Sequence, residues 1–202
     1  SNINNKFGSL YGIVNNASTA LGKRLLKERL LNPINDYSIL NTRYNYVEEL
    51  LKKNDEEEYF YKEVESYLGK IMDIERLHRR MSLKLLQPAD FSNLDIAYNN
   101  IIRIIELPIF SNSYLKNLLP KEENIKMFRN FIDEYNELFD LDEIMKYHLN
   151  NISNSFFKEG KIEELDNIKK EITKCFDTYT SIADKLSLFI EKNSNYVKLE
   201  FT

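Results

Sequence analysis

The sequence predicts an all-α fold: a multi-helix core, one long projecting helix and a short β-strand at the chain's end. Three observations lead there. First, helix breakers are scarce, with five Gly and four Pro among 202 residues, in a chain 43% hydrophobic and 30% charged. Second, Leu165, Ile168, Ile172, Cys175, Tyr179, Ile182, Leu186 and Phe189 recur at alternating steps of three and four. That is a heptad seam, the mark of a helix that packs lengthwise on another helix. Third, Tyr196, Lys198 and Glu200 alternate with Val197, Leu199 and Phe201, the period of two of a half-buried strand.

Each element has a local reason. Ser18 or Thr19 caps a helix reaching Leu31, with Leu21, Leu25, Leu26 and Leu30 on one face; Asn32-Pro33 ends it. Asp36 caps a helix over about 37–53, with Leu40, Tyr44, Val47, Leu50 and Leu51 as its buried stripe. The next helix covers about 56–70, its acidic start Asp55-Glu56-Glu57-Glu58 favoured by the helix dipole, with Phe60, Val64, Tyr67, Leu68 and Ile71 inward. Asp73 caps a helix over about 74–86, and Asp90 one over about 91–107 that stops at Pro108. A short segment lies near 112–118. A helix from Lys121 to Phe139 places Ile125, Phe128, Ile132, Tyr135 and Phe139 inward, and a turn or short helix follows at 141–149. Asn150 to Gly160 is the longest loop signal. The seam helix then runs over 161–194, about 50 Å at ~1.5 Å per residue. The chain divides into a helical core at 1–160, the long helix at 161–194 and a strand at 195–202.

Composition narrows the function. Net charge is −4 and the isoelectric point about 5.4, whereas a small nucleic-acid-binding domain is more often basic. The single Cys forms no internal disulfide. No apolar run approaches the ~20 residues of a membrane span. The chain begins Ser1-Asn2 without Met and stops in a strand-like run, so it is expected to be a fragment.

No catalytic set converges. Gly22-Lys23 is a fragment of a phosphate loop, but Ala17 and Arg24 stand where Gly and Ser or Thr belong. His78 and His148 have no partner at metal-ligand spacing; His78 reads as a surface or salt-bridge residue. Cys175 reads as a small hydrophobe buried in the seam. Asp73, Arg76 and Arg80 share one helix face, either as an ion-pair ladder to a neighbouring helix or, with Arg79 and Lys84, as a phosphate-contacting stripe. No metal or cofactor site is expected in this chain.

Two stretches carry more than periodicity. One runs through Ser9-Leu10, Thr19, Gly22-Lys23-Arg24-Leu25-Leu26, Leu30-Leu31-Asn32-Pro33, Asp36, Ile39, Asn41, Arg43, Val47 and Glu48 to Leu50. The other is Asp73-Ile74-Glu75-Arg76-Leu77, then Arg80, then Pro88-Ala89-Asp90-Phe91 to Leu94. In order and spacing they resemble the core, or lever, domain of the MutS family of DNA mismatch-repair proteins. The resemblance continues more loosely through the long helix to Val197-Lys198-Leu199-Glu200-Phe201, which is similar to the family's entry into its clamp domain. Ala20 departs from the family's usual Pro, and Glu28-Arg29 stand where an aromatic is common.

The resemblance implies a mechanical part that joins an ATPase to a DNA-encircling clamp, itself without ATPase activity. ATP and Mg would belong to the parent protein. So would mismatched or heteroduplex DNA, held without sequence specificity, and a MutS-like dimer partner. The location implied is intracellular: cytoplasmic in a bacterium, otherwise nuclear, organellar or viral. Gly22, Arg24, Pro33, Asp73, Arg76 and Arg80 would be structural motif residues. Lys192, Asn195 and Lys198 would be the nearest to DNA phosphates. The long helix would be one arm of a lever. Its distal part, Tyr179 to Ile190, is expected to be under-packed and open to a second molecule. The alternative is a stand-alone helical scaffold that binds a partner through the seam.

Overall fold

A computed structural model describes residues 8–148, 150, 152 and 154–189. Within them the chain is all-α, ten helices and one 3-10 turn in sequence order, with two isolated β-bridges and no sheet. The strand expected at 195–202 lies outside the described residues.

Side-chain caps set several helix starts. Ser9 Oγ accepts from the Gly12 amide at 3.1 Å and opens α1 (Leu10–Val14). Thr19 Oγ1 accepts from Gly22 N at 2.9 Å and opens α2 (Ala20–Leu31). Asp36 opens α3 (Tyr37–Leu50) through the Ile39 amide at 3.1 Å. Gly22 has a steric reason too. A Cβ there would stand 3.1 Å from Thr19 Oγ1 and crowd the cap.

Several boundaries differ from expectation, among them the end of α3 at Leu50 in place of about 53, and at three of them a local hydrogen bond wins. The acidic run 55–58 is a turn, not a helix start. Asn54 Oδ1 takes the amides of Glu56 and Glu58 at 3.1 and 2.9 Å, Glu57 adopts φ 62°, and Lys53 bridges to Tyr59. Helix α4 therefore spans only Phe60–Leu68. Helix α5 (Ile74–Ser82) ends early in a Schellman turn, with Leu85 N bonding Arg80 O at 2.8 Å and Lys84 N bonding Met81 O at 2.9 Å. Lys84, at φ 57°, fills a place usually taken by Gly, so the sequence offered no stop signal there. Helix α6 (Pro88–Glu106) starts three residues early. Pro88 sits in its first turn, where no amide is needed, and Asp90 reaches back to the Gln87 amide at 3.1 Å.

Pro108 cannot continue α6, so the chain bends at Leu107 into α7 (Pro108–Asn112) and the 3-10 turn Tyr114–Leu118. Then come α8 (Glu122–Leu138), α9 (Leu141–Ile144) and α10 (Glu163–Phe189).

Two apolar clusters share α6. Along it, Leu94, Tyr98 and Ile102 meet Leu77 of α5 and Ile132 and Tyr135 of α8. Past its end, Leu107, Ile109, Phe110 and Leu115 close around Val64 of α4, with Tyr46 and Leu50 of α3 alongside. The inward spacings expected for α4 and α8 are those observed. The stripes of α2 and α3 are only partly covered: Leu21, Leu26, Leu40 and Leu50 are half-buried, whereas Leu25, Leu30, Tyr44, Val47 and Leu51 are exposed, and Tyr46 and Leu50 carry α3 onto the core. The periodicity marked an apolar face correctly, but the described residues cover only part of it.

Leu94 is fully buried and Leu25 is 46% exposed. Leu94→Ala should cost about 3 kcal/mol of unfolding free energy, while Leu25→Ala should stay within ~0.5 kcal/mol of wild type in urea titrations.

Candidate interaction surface

The base of α10 is fastened at several points. Phe157 bridges to Phe139 across the end of α8, with Asp140 N to Phe156 O at 2.8 Å and Lys158 N to Leu138 O at 3.0 Å. Phe156 and Phe157 stack 5.3 Å apart and both meet the ring of Phe139. The loop signal at 150–160 is thus partly a clasp. Gly160 turns the chain at φ 80° and donates its amide to Asp166 at 2.8 Å. Two ion pairs join in, Lys161–Glu137 at 3.0 Å and Lys169–Glu159 at 2.8 Å. Lys169 holds the Glu159 carboxyl below the usual carboxylate range through their hydrogen bond.

Beyond this clasp the seam is open. Leu165 is half-buried. Ile168, Ile172, Tyr179, Ile182 and Leu186 are each between 48% and 54% exposed, and Phe189 is more exposed still. Cys175 is exposed, not a buried hydrophobe. Apolar surface left this open is unfavourable in water, and covering it with another apolar surface is stabilising. The buried residues of α10 are Ala183 and Ser187, to one side of the seam. Under-packing therefore begins at Ile168, further toward the base than the expected Tyr179. Helix α10 begins at Glu163, two residues after the expected 161; residues 190–194, with Lys192 among them, lie outside the described residues, as do Asn195 and Lys198.

The motif residues form a charged joint elsewhere. Arg24 on α2 grips Asp73, the N-cap of α5, with two bonds of 2.8 Å, and reaches Glu75 at 2.5 Å. Two steps along α5, Arg80 pairs with Asp90 of α6 at 2.7 Å and donates to Leu85 O at 3.2 Å. Arg76 lies between them on the exposed side, and exposed Pro33 follows the end of α2. The amide of Gly22 is used by Thr19, so no phosphate cradle forms at Gly22-Lys23. His78 is not merely a surface residue. Its Nε2 lies 2.5 Å from the hydroxyl of buried Tyr98. Among the described residues no three His, Cys, Asp or Glu side chains are grouped to hold a metal.

One surface was missed in the sequence. Arg29 of α2 and Arg43 of α3 flank an open groove whose apolar lining includes Ile39, Val47 and Leu118. The i, i+4, i+8 recurrence of Ile39, Arg43 and Val47 is the signal that would have shown it.

Arg24 lowers the Asp73 carboxyl below its ordinary value of 3.8, chiefly by hydrogen bonding. A depressed carboxylate contributes stability above its unfolded value and loses it as pH falls through the folded one. In Arg24→Gln, Asp73 should titrate nearer 3.8 by carbon-detected NMR. The stability gap to wild type should close as the pH drops below that value.

With this geometry in place, comparison with known proteins identifies the chain's relatives. The family model for MutS domain III matches residues 1–193. A putative DNA mismatch repair protein mutS homolog of Acanthamoeba polyphaga mimivirus is 36% identical over 84% of this chain and 15% of its own length. The mitochondrial DNA mismatch repair protein mutS homolog of Sarcophyton glaucum is 32% identical over 66% of this chain and 14% of its own length. The DNA mismatch repair protein MutS of Caldanaerobacter subterraneus is 27% identical over 95% of this chain and 19% of its own length. The chain thus spans less than a fifth of these relatives. No solved structure matches it significantly. The chain belongs to the MutS family, of which it is domain III.

Proposed function

We propose that this domain is the mechanical connector of a MutS-like mismatch repair protein, carrying the nucleotide state of an ATPase elsewhere in the parent to a DNA-holding clamp. The observation that supports this most is the build of α10: one uninterrupted 27-residue helix, about 40 Å long at ~1.5 Å per residue, clasped at its base and apolar along one side. A rigid element of this length with a defined foot can be placed in one of two discrete positions by events at either end. The seam then receives a return helix from the parent polypeptide. DNA contact, by this reading, is made with phosphates beyond the end of α10, and ATP with Mg is bound outside this domain. Dimerisation through the parent fits the same scheme.

Two experiments test it. The isolated domain should hydrolyse ATP no faster than a Gly22→Ala control. In the parent protein, Ile172→Asp combined with Ile182→Asp should leave ATP binding intact but abolish the change in DNA affinity that ATP produces. Unaltered coupling in that variant would reject the connector role.

A further inference from the structure

We infer that the foot of α10 is a two-part joint: an apolar clasp that stays closed, and a set of exposed ion pairs centred on Lys169 that release the helix when they are screened. This joint is a property of the chain by itself and does not depend on the connector role.

The two parts lie on opposite sides of Gly160. Before it, the chain is held by rings and by backbone. Phe139, Phe156 and Phe157 meet, and the amides of Asp140 and Lys158 bond across the end of α8. Screening leaves these contacts in place, because none of them joins two ions. After it, no residue of α10 before Ala183 is buried, and Ile162 and Leu165 are only half-buried. The ties that cross the joint are charged instead. Lys161 pairs with Glu137 of α8 and Lys169 with Glu159, both in the open, and Asp166 takes the Gly160 amide.

Lys169 is the centre of these ties. On one side it shares a cleft with Asp140, Glu143 and Glu159, and on the other a cleft with Glu159 and Asp166. It is the cation common to both. The carboxylates around it come from the loop, from the start of α9 and from α10 itself. With that cation reversed, like charges on the two sides of the joint would oppose one another. Exposed pairs of this kind are individually weak and are screened by salt, so this half of the joint opens without unfolding.

Cys175 is the chain's single cysteine and is exposed on α10, which makes the test direct. A spin label there and a second at exposed Asn130→Cys on α8 report the separation of helix and base by pulsed dipolar spectroscopy, with the labelled chain diluted in unlabelled chain. The distance distribution should be narrow at ~0.1 M salt and broaden about twofold at ~1 M. Lys169→Glu should broaden it about as much at low salt, and Lys169→Glu with Glu159→Lys should narrow it again. The amides of Asp140 and Lys158 should keep their hydrogen-exchange protection throughout. A width unmoved by salt and by Lys169→Glu would overturn the inference, as would a distribution already broad at low salt. Broadening with loss of protection at the two amides would also overturn it, since the clasp would then be opening too. None of these results bears on the coupling assay in the parent.

Discussion

The structure depends on α6 serving two apolar clusters, the first through buried Leu94, Tyr98 and Ile102 and the second through half-buried Ile104. A single amphipathic stripe would let a helix serve one core. Here Leu94, Ala97, Tyr98 and Ile102 lie inward along the helix, and the bend at Leu107–Pro108 carries the chain directly into the second cluster. Removing apolar surface from water contributes roughly 25 cal/mol per Å². The two clusters are therefore not independent, because one helix belongs to both. Tyr135 adds a polar restraint: its hydroxyl donates to Asp95 of α6 at 2.7 Å. Burial, and then that bond, push the phenol well above its ordinary range, so it remains a donor at any physiological pH.

Around this spine the charged contacts orient more than they stabilise. The Arg24 and Arg80 pairs are partly exposed, and such pairs contribute little individually. Their geometry matters more. The fork of Arg24 matches the carboxylate of Asp73, a group already engaged in capping α5. One carboxylate thus fixes where a helix begins and which neighbour it faces.

The sequence made helix type and inward faces legible wherever a face was buried, as in α4 and α8. It failed in two ways. Boundaries at Asn54 and Lys84 were decided by hydrogen bonds within a turn, between residues with no distinctive composition. Burial on α2, α3 and α10 was misjudged because a periodic apolar stripe shows that a face needs cover, not that cover lies in the same stretch of chain. For the candidate surface, the seam was readable residue by residue, yet the exposure of Cys175 was not. The clasp of Phe139, Phe156 and Phe157 was hidden, since stacking across a loop leaves no period.

That clasp has a geometric consequence. It holds the foot of α10 over a few residues, while the helix extends about 40 Å at ~1.5 Å per residue. A tilt of only about 5° at Gly160 would sweep the Phe189 end through about 3.5 Å over that length. Gly160 has open space where a side chain would sit, so its positive φ rather than crowding sets the direction of exit. The angular stiffness of one short loop thus limits how accurately the far end of the helix can be aimed.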